Sequence, residues 1–380
     1  MTQAYAIEVR AVRNKADLRT FVRLPRRLYR DDPNWVPPIE MERRRHFSAA
    51  NPYFQHASVR FFVAWRAGRP VGRISAQINR LAQSDDGPRI GHFGLLEACD
   101  EGVLSALLAT AEAWLGARGA AVAEGPHSLS VNDETGLLVD GFDRPPRLLM
   151  NYAPPWYAPA LEAAGYGKAK DLLAYRGEVV PNFPERAAAI ARAAEADPAV
   201  GERRIDLRDL QREMQLIVDI FNDGWAGNWG FVPMTEPEVR YMTGNLKPVL
   251  RPDLVRIAEY RGEPVAMMVA VPDLHTVLRD IRGRLLPVGW ARLLWGTKLR
   301  PPAQGRVMLM GVRRSHQSRH LAAGLVALMM QRLHAAAQRR GMTEFELSWI
   351  LEDNVPMLRL LEMIGAQPDK RYRIYRREIE

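Results

Sequence analysis

The chain has 380 residues, 47% hydrophobic and 26% charged, an ordinary globular composition with room for two domains. Its single cysteine, Cys99, excludes an intramolecular disulfide and a cysteine-based metal site, which fits a reducing cytoplasm. A formal net charge of +9 favours an anionic partner such as a nucleotide-like cofactor, an anionic membrane surface or a nucleic acid.

Targeting and nucleic-acid signals are weak. The first residues lack the apolar core of a signal peptide, and no apolar run approaches the roughly 20 residues of a spanning helix. We find no aromatic RNA-binding platform and no helix-turn-helix pattern, so nucleic acid is not an expected partner. We therefore expect a cytoplasmic protein, and the basic segment described below predicts contact with the inner face of the membrane.

In chain order, the predicted elements of the first half recur in the second. Each half reads as a strand, an amphipathic helix, a Trp/Pro-rich loop, a hairpin, a strand, a long helix, a strand, a short helix and a last strand. The repeat also has in-register identities. Asn34-Trp35 and the hairpin at 64–72 recur 194 residues later, at Asn228-Trp229 and 258–266. We interpret the chain as a duplication of one domain, with domains at 1–184 and 185–380.

A basic loop, HQSRHLAAG at residues 316–324, follows the strand-like run RVMLMGV and opens a long helix. The first N–H groups of a helix carry partial positive charge and lack an intrahelical acceptor, so a pyrophosphate is stabilised there. Gln317 and Arg319 could add side-chain donors. The strand end at Met310-Gly311-Val312 offers backbone groups to an extended ligand arm.

The second half resembles the GNAT acyltransferase superfamily, most clearly over residues 203–380. That superfamily's phosphate-loop pattern falls on residues 317–322, where Ser318 and His320 replace common glycines, and its later pattern falls on Asn354, Met357, Leu360 and Gly365. The resemblance implies two tandem α/β domains, each a mixed, mostly antiparallel sheet flanked by helices, and acyl-CoA as co-substrate. The implied coenzyme A residues are Met310, Gly311, Val312, Gln317, Ser318, Arg319, His320, Leu321, Ala322, Ala323 and Asn354. We expect Asn354 to order the loop before the last short helix.

The matching helix of the first half begins EACDEGV, with Glu97, Asp100 and Glu101 at its start. Carboxylates at this position cap the helix themselves and repel a pyrophosphate. We therefore predict that the first domain binds no coenzyme A and shapes the substrate site instead.

Each half has one long extra segment. The first, within 125–157, is either a functional loop or a surface loop with a self-capped turn. The second, 274–302, is basic and apolar at helical spacing with Trp at its edge, which is typical of an interfacial membrane helix or of a helix packed on the rest of the protein. Candidate substrate-binding residues are Asn132, Trp225, Asn228, Trp229 and Trp290.

Four longer motifs, DPNWVPP, NWGFVP, LSWILEDN and YRIYRREI, resemble a bacterial tandem-GNAT family with a branch similar to the bacterial ceramide synthases. This implies transfer of a long-chain acyl group from acyl-CoA to a sphingoid base or another lipid amine. Two other hypotheses are a short-chain N-acetyltransferase for a small amine or protein, and a non-catalytic binding or sensor protein.

N-acylation requires a general base for the amine and a proton donor for the leaving thiolate. Candidates for catalytic residues are Glu346, Ser348, Glu352, Asp273 and Tyr372. Glu346 and Ser348 share one face of a predicted strand by two-residue alternation. The position at which the superfamily often has a catalytic Tyr is Leu361. We find no metal-ligand motif, and no metal is expected.

Overall fold

The computed structural model describes residues 6–83, 87–285, 287–298 and 302–379, and the side chains of 297, 298 and 319 are outside this description. The predicted segment 274–302 is therefore described except for 286 and 299–301. The strands are β1 Ile7–Ala11, β2 Ala57–Arg66, β3 Arg69–Asn79, β4 Ile90–Ala98, β5 Val122–Gly125, β6 Leu137–Asp140, β7 Gly167–Glu178, β8 Val200–Arg204, β9 Val255–Tyr260, β10 Glu263–Pro272, β11 Gln304–Val312, β12 Glu344–Leu351 and β13 Gln367–Glu378. The helices are α1 Lys15–Leu28, α2 Glu40–His46, α3 Glu101–Gly116, α4 Tyr157–Ala163, α5 Glu185–Glu195, α6 Leu210–Trp225, α7 Glu236–Leu246, α8 His275–Ile281, α9 Gly289–Lys298, α10 Arg319–Arg339 and α11 Val355–Met363.

The chain forms two compact units that do not follow the predicted boundary between residues 184 and 185. The first unit contains residues 1–172, 278–290 and 370–380, and the second contains 173–277 and 291–369. Most of β13 thus belongs to the first unit, and the second half of β7 belongs to the second. The last strand of each sequence repeat is completed in the sheet of the other repeat, a pairing that periodicity along the chain does not encode.

The sheet of the first unit has the order β1-β2-β3-β4-β5-β13, with β6 also paired to β13. All its described pairs are antiparallel except β4–β5, which is parallel. Helices α1 and α3 pack on this sheet. The core under α1 is aromatic, with Phe21, Phe47 and Phe61 in mutual ring contact.

The sheet of the second unit has the order β7-β12-β11-β10-β9-β8. Its parallel pair is β11–β12, the counterpart of β4–β5. The main core joins α10 to β9, β10 and β12 and contains Val265, Met268, Met329 and Phe345. The predicted mixed, mostly antiparallel α/β sheet flanked by helices is confirmed in each unit.

The two hairpins confirm the repeat at the level of backbone geometry. The β2–β3 turn has Ala67 and Gly68 at φ 49° and 71°, and the β9–β10 turn has Arg261 and Gly262 at φ 53° and 81°. Two successive residues with positive φ form the turn whose twist matches antiparallel strands, and glycine lowers its cost at the second position.

Among the described residues, no helix combines the length and apolar character that crossing a bilayer would require.

Candidate functional site

The parallel strands β11 and β12 of the second unit separate part-way along their length. They pair over Gln304–Val307 and Glu344–Leu347, and the described ladder ends there although β11 runs on to Val312 and β12 to Leu351. A register shift against β10, between Val269 and Ala270, bends β11 at the same level. We call the space between the diverging strands the β11–β12 opening.

A buried polar network lies where the paired part of these strands ends. Arg306 Nε donates to Ser348 Oγ at 2.9 Å, and Ser348 Oγ donates to Glu346 Oε1 at 2.7 Å. Arg306 Nε also lies 3.9 Å from Glu346 Oε1, and its guanidinium stacks over the ring of Trp349. All three members of the network are nearly inaccessible to solvent. The hydrogen bond between Glu346 and Ser348 agrees with the prediction that they share one face of a strand, whereas sequence reasoning missed Arg306.

The far end of β11 is held by α6. Trp225 Nε1 donates to Met310 O at 3.1 Å, and a Cβ at Gly311 would stand 3.4 Å from that indole nitrogen. A Cβ at Gly224 would lie 2.6 Å from Val312 O, so only glycine permits this approach. The Met310 carbonyl therefore positions the strand on α6.

The loop after β11 is held by hydrogen bonds that involve the side chains of Gln317 and Asp223. Gln317 Nε2 donates to Val312 O at 2.9 Å and to Gly224 O at 3.2 Å, so this amide shapes the loop. Asp223 accepts from Arg314 N at 2.8 Å. The predicted role of the Gln317 side chain as a pyrophosphate donor does not match these contacts.

The N-terminus of α10 has no side-chain cap. Ser318 is the N-cap residue, and Ala322 N donates to Ser318 O at 3.0 Å. The amides of residues 319–321 precede this first intrahelical bond and are the donors that helix geometry leaves for an external acceptor. His320 and Ala323 are exposed, whereas Leu321 and Ala322 pack against the core of the second unit.

The other three catalytic candidates lie at separate positions in the chain. Asp273 Oδ1 accepts from His275 N at 3.2 Å, and its own N–H donates to Gln304 O at the start of β11. Tyr372 is fully buried in the first unit, paired with Leu138 of β6. Glu352 lies half-buried in the turn after β12.

Two other expectations for α11 agree with the structure. Asn354 Oδ1 accepts from Met357 N at 3.3 Å, which confirms its predicted ordering role as the N-cap of α11. Leu361, at the position where the GNAT superfamily often has Tyr, is fully buried in the core. That position therefore supplies no acid.

The corresponding region of the first unit is closed by its own chain. The β4–β5 ladder covers Ile90–His92 and Val122–Glu124, and then His127 N donates to Phe93 O at 2.8 Å. A Cβ at Gly94 would lie 1.6 Å from His127 O, so the segment after β5 lies directly against β4. There is no counterpart of the β11–β12 opening in this part of the first unit.

The start of α3 is capped as predicted. Asp100 Oδ1 accepts from Val103 N at 3.1 Å, and Arg66 donates to both oxygens of that carboxylate, which holds the pKa of Asp100 well below its usual range. Glu97 is different: it is buried, bonded to Tyr29 and 3.4 Å from Arg73. Burial raises the pKa of Glu97 to about 7 despite these two partners. Glu97 therefore does not face the helix terminus.

The long segment 125–157 of the first unit is largely ordered by buried polar contacts. Glu134 forms a bidentate ion pair with Arg43 of α2, with one bond at 2.9 Å, and His46 Nε2 lies 3.6 Å from Asp133. Asn132, half-buried, donates its N–H to Ser130 Oγ at 3.2 Å. Sequence reasoning missed the pairing of Glu134, whose partner lies in a different part of the chain.

The other predicted substrate residues lie in two places. Trp225, Asn228 and Trp229 are half-buried at the end of α6, and Asn228 N donates to Trp225 O at 2.8 Å. Trp290 is 53% exposed at the start of α9.

The described part of the segment 274–302 has one buried helix and one exposed helix. The apolar residues of α8 and its flank, Leu274, Val277, Leu278 and Ile281, are buried, as a packed helix requires. Within the first unit, Glu40 N donates to Gly283 O at 3.2 Å, and Arg26 donates to Arg282 O. Helix α9 and its flank instead expose Val288, Trp290, Leu294 and Trp295, each between 48% and 59%.

Comparison with known proteins supplies the family. The chain is 42% identical to Protein YghO of Escherichia coli (strain K12) over 372 residues, covering 98% of this chain and 95% of that protein. It is 40% identical to the bacterial ceramide synthase of Caulobacter vibrioides (strain NA1000 / CB15N) over 377 residues, covering 98% of both.

The chain belongs to the bacterial ceramide synthase family. Its fold is that of tandem GNAT proteins: a tandem GNAT protein from the clavulanic acid biosynthesis pathway aligns with a TM-score of 0.54 at 14% identity over 98% of each chain. A GCN5-related N-acetyltransferase from Sphaerobacter thermophilus aligns with a TM-score of 0.52 at 16% identity, over 98% of this chain and 96% of that one. No protein-family model matches the chain. The protein is thus an N-acyltransferase of the GNAT type, and acyl-CoA is the co-substrate that this fold implies.

Proposed function

We propose that the protein joins a long-chain acyl group from acyl-CoA to the amine of a sphingoid base, forming a ceramide-type amide. The observation that carries this proposal is 40% identity over 98% of both chains to a protein whose name states that activity. The second unit supplies matching features: an opening between two diverging strands, an uncapped helix N-terminus beside it and a buried glutamate at its closed end.

We assign the binding of acyl-CoA to the second unit. The amides of residues 319–321 at the start of α10 donate to the pyrophosphate, because helix geometry gives them no intrahelical acceptor and they lie at the positive end of the helix dipole. The pantetheine arm then extends along β11 into the β11–β12 opening. In the first unit, Asp100 caps the matching helix N-terminus, and the chain at His127 lies against β4 where the second unit has its opening. Both features support coenzyme A binding by the second unit alone.

Glu346 is assigned the role of general base. Its carboxylate is bonded to Ser348 and lies 3.9 Å from Arg306, whose positive charge stabilises the ionised form that can accept a proton. The amine nitrogen attacks the thioester carbonyl, the C–S bond breaks, and the proton lost by nitrogen passes to Glu346, directly or through Ser348 Oγ. The coenzyme A thiolate then takes that proton from Glu346, directly, through Ser348 Oγ or through a water molecule, so the base is restored.

We propose that α9 contacts the membrane in which a lipid amine resides. Its exposed Trp290, Leu294 and Trp295 form an apolar surface with the cationic Arg292 beside them, also exposed. Aromatic and aliphatic side chains combined with positive charge are typical of helices that lie in the interface of an anionic bilayer.

The decisive experiment is a product assay by mass spectrometry. Purified protein is incubated with sphinganine and either palmitoyl-CoA or acetyl-CoA, and the variants Glu346→Gln and Arg319→Glu are compared with Glu362→Gln, an exposed carboxylate on α11. We expect a palmitoyl amide from the wild type and from Glu362→Gln. We expect kcat to fall by about 10²–10⁴-fold in Glu346→Gln, as for loss of a general base, and the KM for acyl-CoA to rise in Arg319→Glu.

Three results would contradict the proposal in distinct ways. A product from acetyl-CoA alone would indicate a short-chain acetyltransferase. Unchanged kcat in Glu346→Gln would remove that residue from the mechanism but leave the substrate assignment intact. Absence of any amide with both donors would exclude sphinganine as the acceptor.

A further inference from the structure

Three potential metal ligands meet in the first unit, away from the β11–β12 opening. His92 Nε2 and His127 Nε2 each lie 3.8 Å from Glu124 Oε1, and one ligand atom from each of the three residues lies within 4.8 Å of the others. Glu124 and His127 are 4% and 3% exposed, and the His92 side chain is 12% exposed. Burying ionisable groups costs free energy unless a partner compensates them, so three such groups at this spacing call for a compensating partner.

Rigid backbone holds the three side chains in place. His92 on β4 is paired in register with Glu124 on the parallel strand β5. In the second unit, Arg306 and Glu346 hold the same positions of the β11–β12 ladder. In the second unit this glutamate therefore lies beside a guanidinium, which cannot bind a metal ion. In the first unit the equivalent glutamate, Glu124, lies beside two imidazoles, which can.

The hydrogen bonds of His127 fix which of its nitrogens faces the cluster. Thr135 Oγ1 lies within donor distance of two carbonyls, Ser130 O at 3.3 Å and Val131 O at 3.4 Å, so its lone pair accepts from His127 Nδ1–H at 3.0 Å. This tautomer leaves a lone pair on Nε2, and Nε2 has no hydrogen-bond partner among the described residues. That lone pair is directed at a carboxylate oxygen, an arrangement of two acceptors that a cation would satisfy.

Arg376 occupies the other oxygen of the glutamate. Its Nε lies 3.2 Å from Glu124 Oε2, which leaves Oε1 directed at the two histidines. One carboxylate oxygen therefore remains for a metal ion.

We propose that His92, Glu124 and His127 bind one divalent transition-metal ion, with Zn²⁺ as the matching probe. Two imidazoles and one carboxylate form a donor set that suits Zn²⁺ and leaves a fourth position open. Tetrahedral donors about 2.1 Å from Zn²⁺ stand about 3.4 Å apart, so the two Nε2–Oε1 distances need to contract by only a few tenths of an ångström. Thr135 acts on the metal by orienting His127, as outer hydrogen-bond partners do. Sequence spacing gave no sign of the cluster because His92 and Glu124 are joined by strand pairing.

The test is direct metal binding by the full chain prepared without a histidine tag. Protein stripped with dipicolinate is titrated with Zn²⁺ and analysed by mass spectrometry of bound metal, for the wild type, Glu124→Gln and His127→Asn. The control is His56→Asn, a histidine of the same unit bonded to Asn79 at 3.0 Å. Circular dichroism of each variant reports folding, and Co²⁺ absorption of the wild type reports ligand geometry independently of the variants.

We expect the wild type and His56→Asn to bind about one Zn²⁺ per chain with a raised melting temperature. Glu124→Gln and His127→Asn should weaken binding by at least about tenfold, the size of effect that even outer partners of ligands produce. The proposal is overturned if the wild type shows no saturable binding of Zn²⁺, or if both folded variants bind it as tightly as the wild type. If neither variant folds, the Co²⁺ spectrum of the wild type decides. The absence of tetrahedral d–d bands from that spectrum would also overturn the metal-site proposal.

Discussion

Arg306 Nε donates to Ser348 Oγ at 2.9 Å between two parallel strands, next to the end of their paired part, and both residues are almost completely buried. Through this hydroxyl the guanidinium is linked to Glu346, so a cation, a hydroxyl and a carboxylate form one hydrogen-bonded group at the closed end of the β11–β12 opening. The buried positive charge of Arg306 therefore serves both the stability of the fold and the proposed role of Glu346 as a base.

Arg306→Met tests the structural part. Removal of the cation takes away the positive charge 3.9 Å from the buried Glu346 carboxylate, and we expect the free energy of unfolding to fall by about 3 kcal/mol. Arg240→Met is the control, because its partner Glu236 and Arg240 itself are both more than half exposed and such a pair contributes at most about 0.5 kcal/mol. Urea unfolding followed by circular dichroism measures both, and equal losses in the two variants would show that Arg306 does not compensate Glu346.

Gln317→Leu tests whether the loop before α10 must be fixed. Loss of the bonds to Val312 O and Gly224 O frees the loop, and we expect the KM for acyl-CoA to rise by about tenfold, equivalent to about 1.4 kcal/mol. Stability should change little because Gln317 is exposed. A lower kcat with unchanged KM would instead connect this side chain to the chemical step.

Trp290→Ser with Trp295→Ser tests the membrane surface. Both side chains are more than half exposed, so their removal should leave melting unchanged while reducing co-sedimentation with phosphatidylglycerol vesicles several-fold. Leu207→Ser, another exposed apolar residue at 44%, is the matched control and should bind as the wild type does. Vesicle binding that is equal in all three proteins, or absent in the wild type, would exclude α9 as the membrane contact.

Glu97→Gln tests the buried carboxyl of the first unit. The pKa of Glu97 rises from an ordinary value near 4.5 to about 7 because of burial, so the folded state binds its proton more tightly than the unfolded state does. This group therefore stabilises the fold below about pH 4.5, and its contribution is lost as pH rises to about 7.

The difference in unfolding free energy between the wild type and Glu97→Gln should fall across that pH window by up to about 3 kcal/mol. Glu101→Gln, on the exposed start of α3, should give a flat difference curve. A flat curve for Glu97→Gln as well would indicate that Tyr29 and Arg73 keep the carboxyl ionised in the folded protein.

The sequence was informative wherever the signal was local. Hairpin turns such as Ala67-Gly68 and Arg261-Gly262 depend on two adjacent residues, and the alternation that puts Glu346 and Ser348 on one face depends on strand geometry alone. The Asp100 cap of α3 and the Asn354 cap of α11 follow from residues three positions apart. These features were predicted correctly because the chain positions that form them are neighbours.

Interactions between distant segments were not predicted. Gln317 had the right chemistry for phosphate, yet its amide is bound to the backbone of α6, and Tyr372 lies in the first unit because β13 completes that sheet. The Arg43–Glu134 pair and the His92–Glu124–His127 cluster are likewise joined only by folding. One usable signal existed: Glu124 precedes Glu346 by 222 residues, the same offset as Arg118-Gly119 before Arg340-Gly341.

By itself, then, the sequence determined the repeat and the order of strands and helices, because periodicity, caps and turns are short-range properties of the chain. Its motifs carried the resemblance that implied the tandem GNAT fold. Only the tertiary structure decided which sheet each last strand joins, which half keeps an opening between its parallel strands, and which buried charges meet. Those outcomes depend on strand pairing and desolvation between residues far apart in the chain, and a one-dimensional pattern does not encode that proximity.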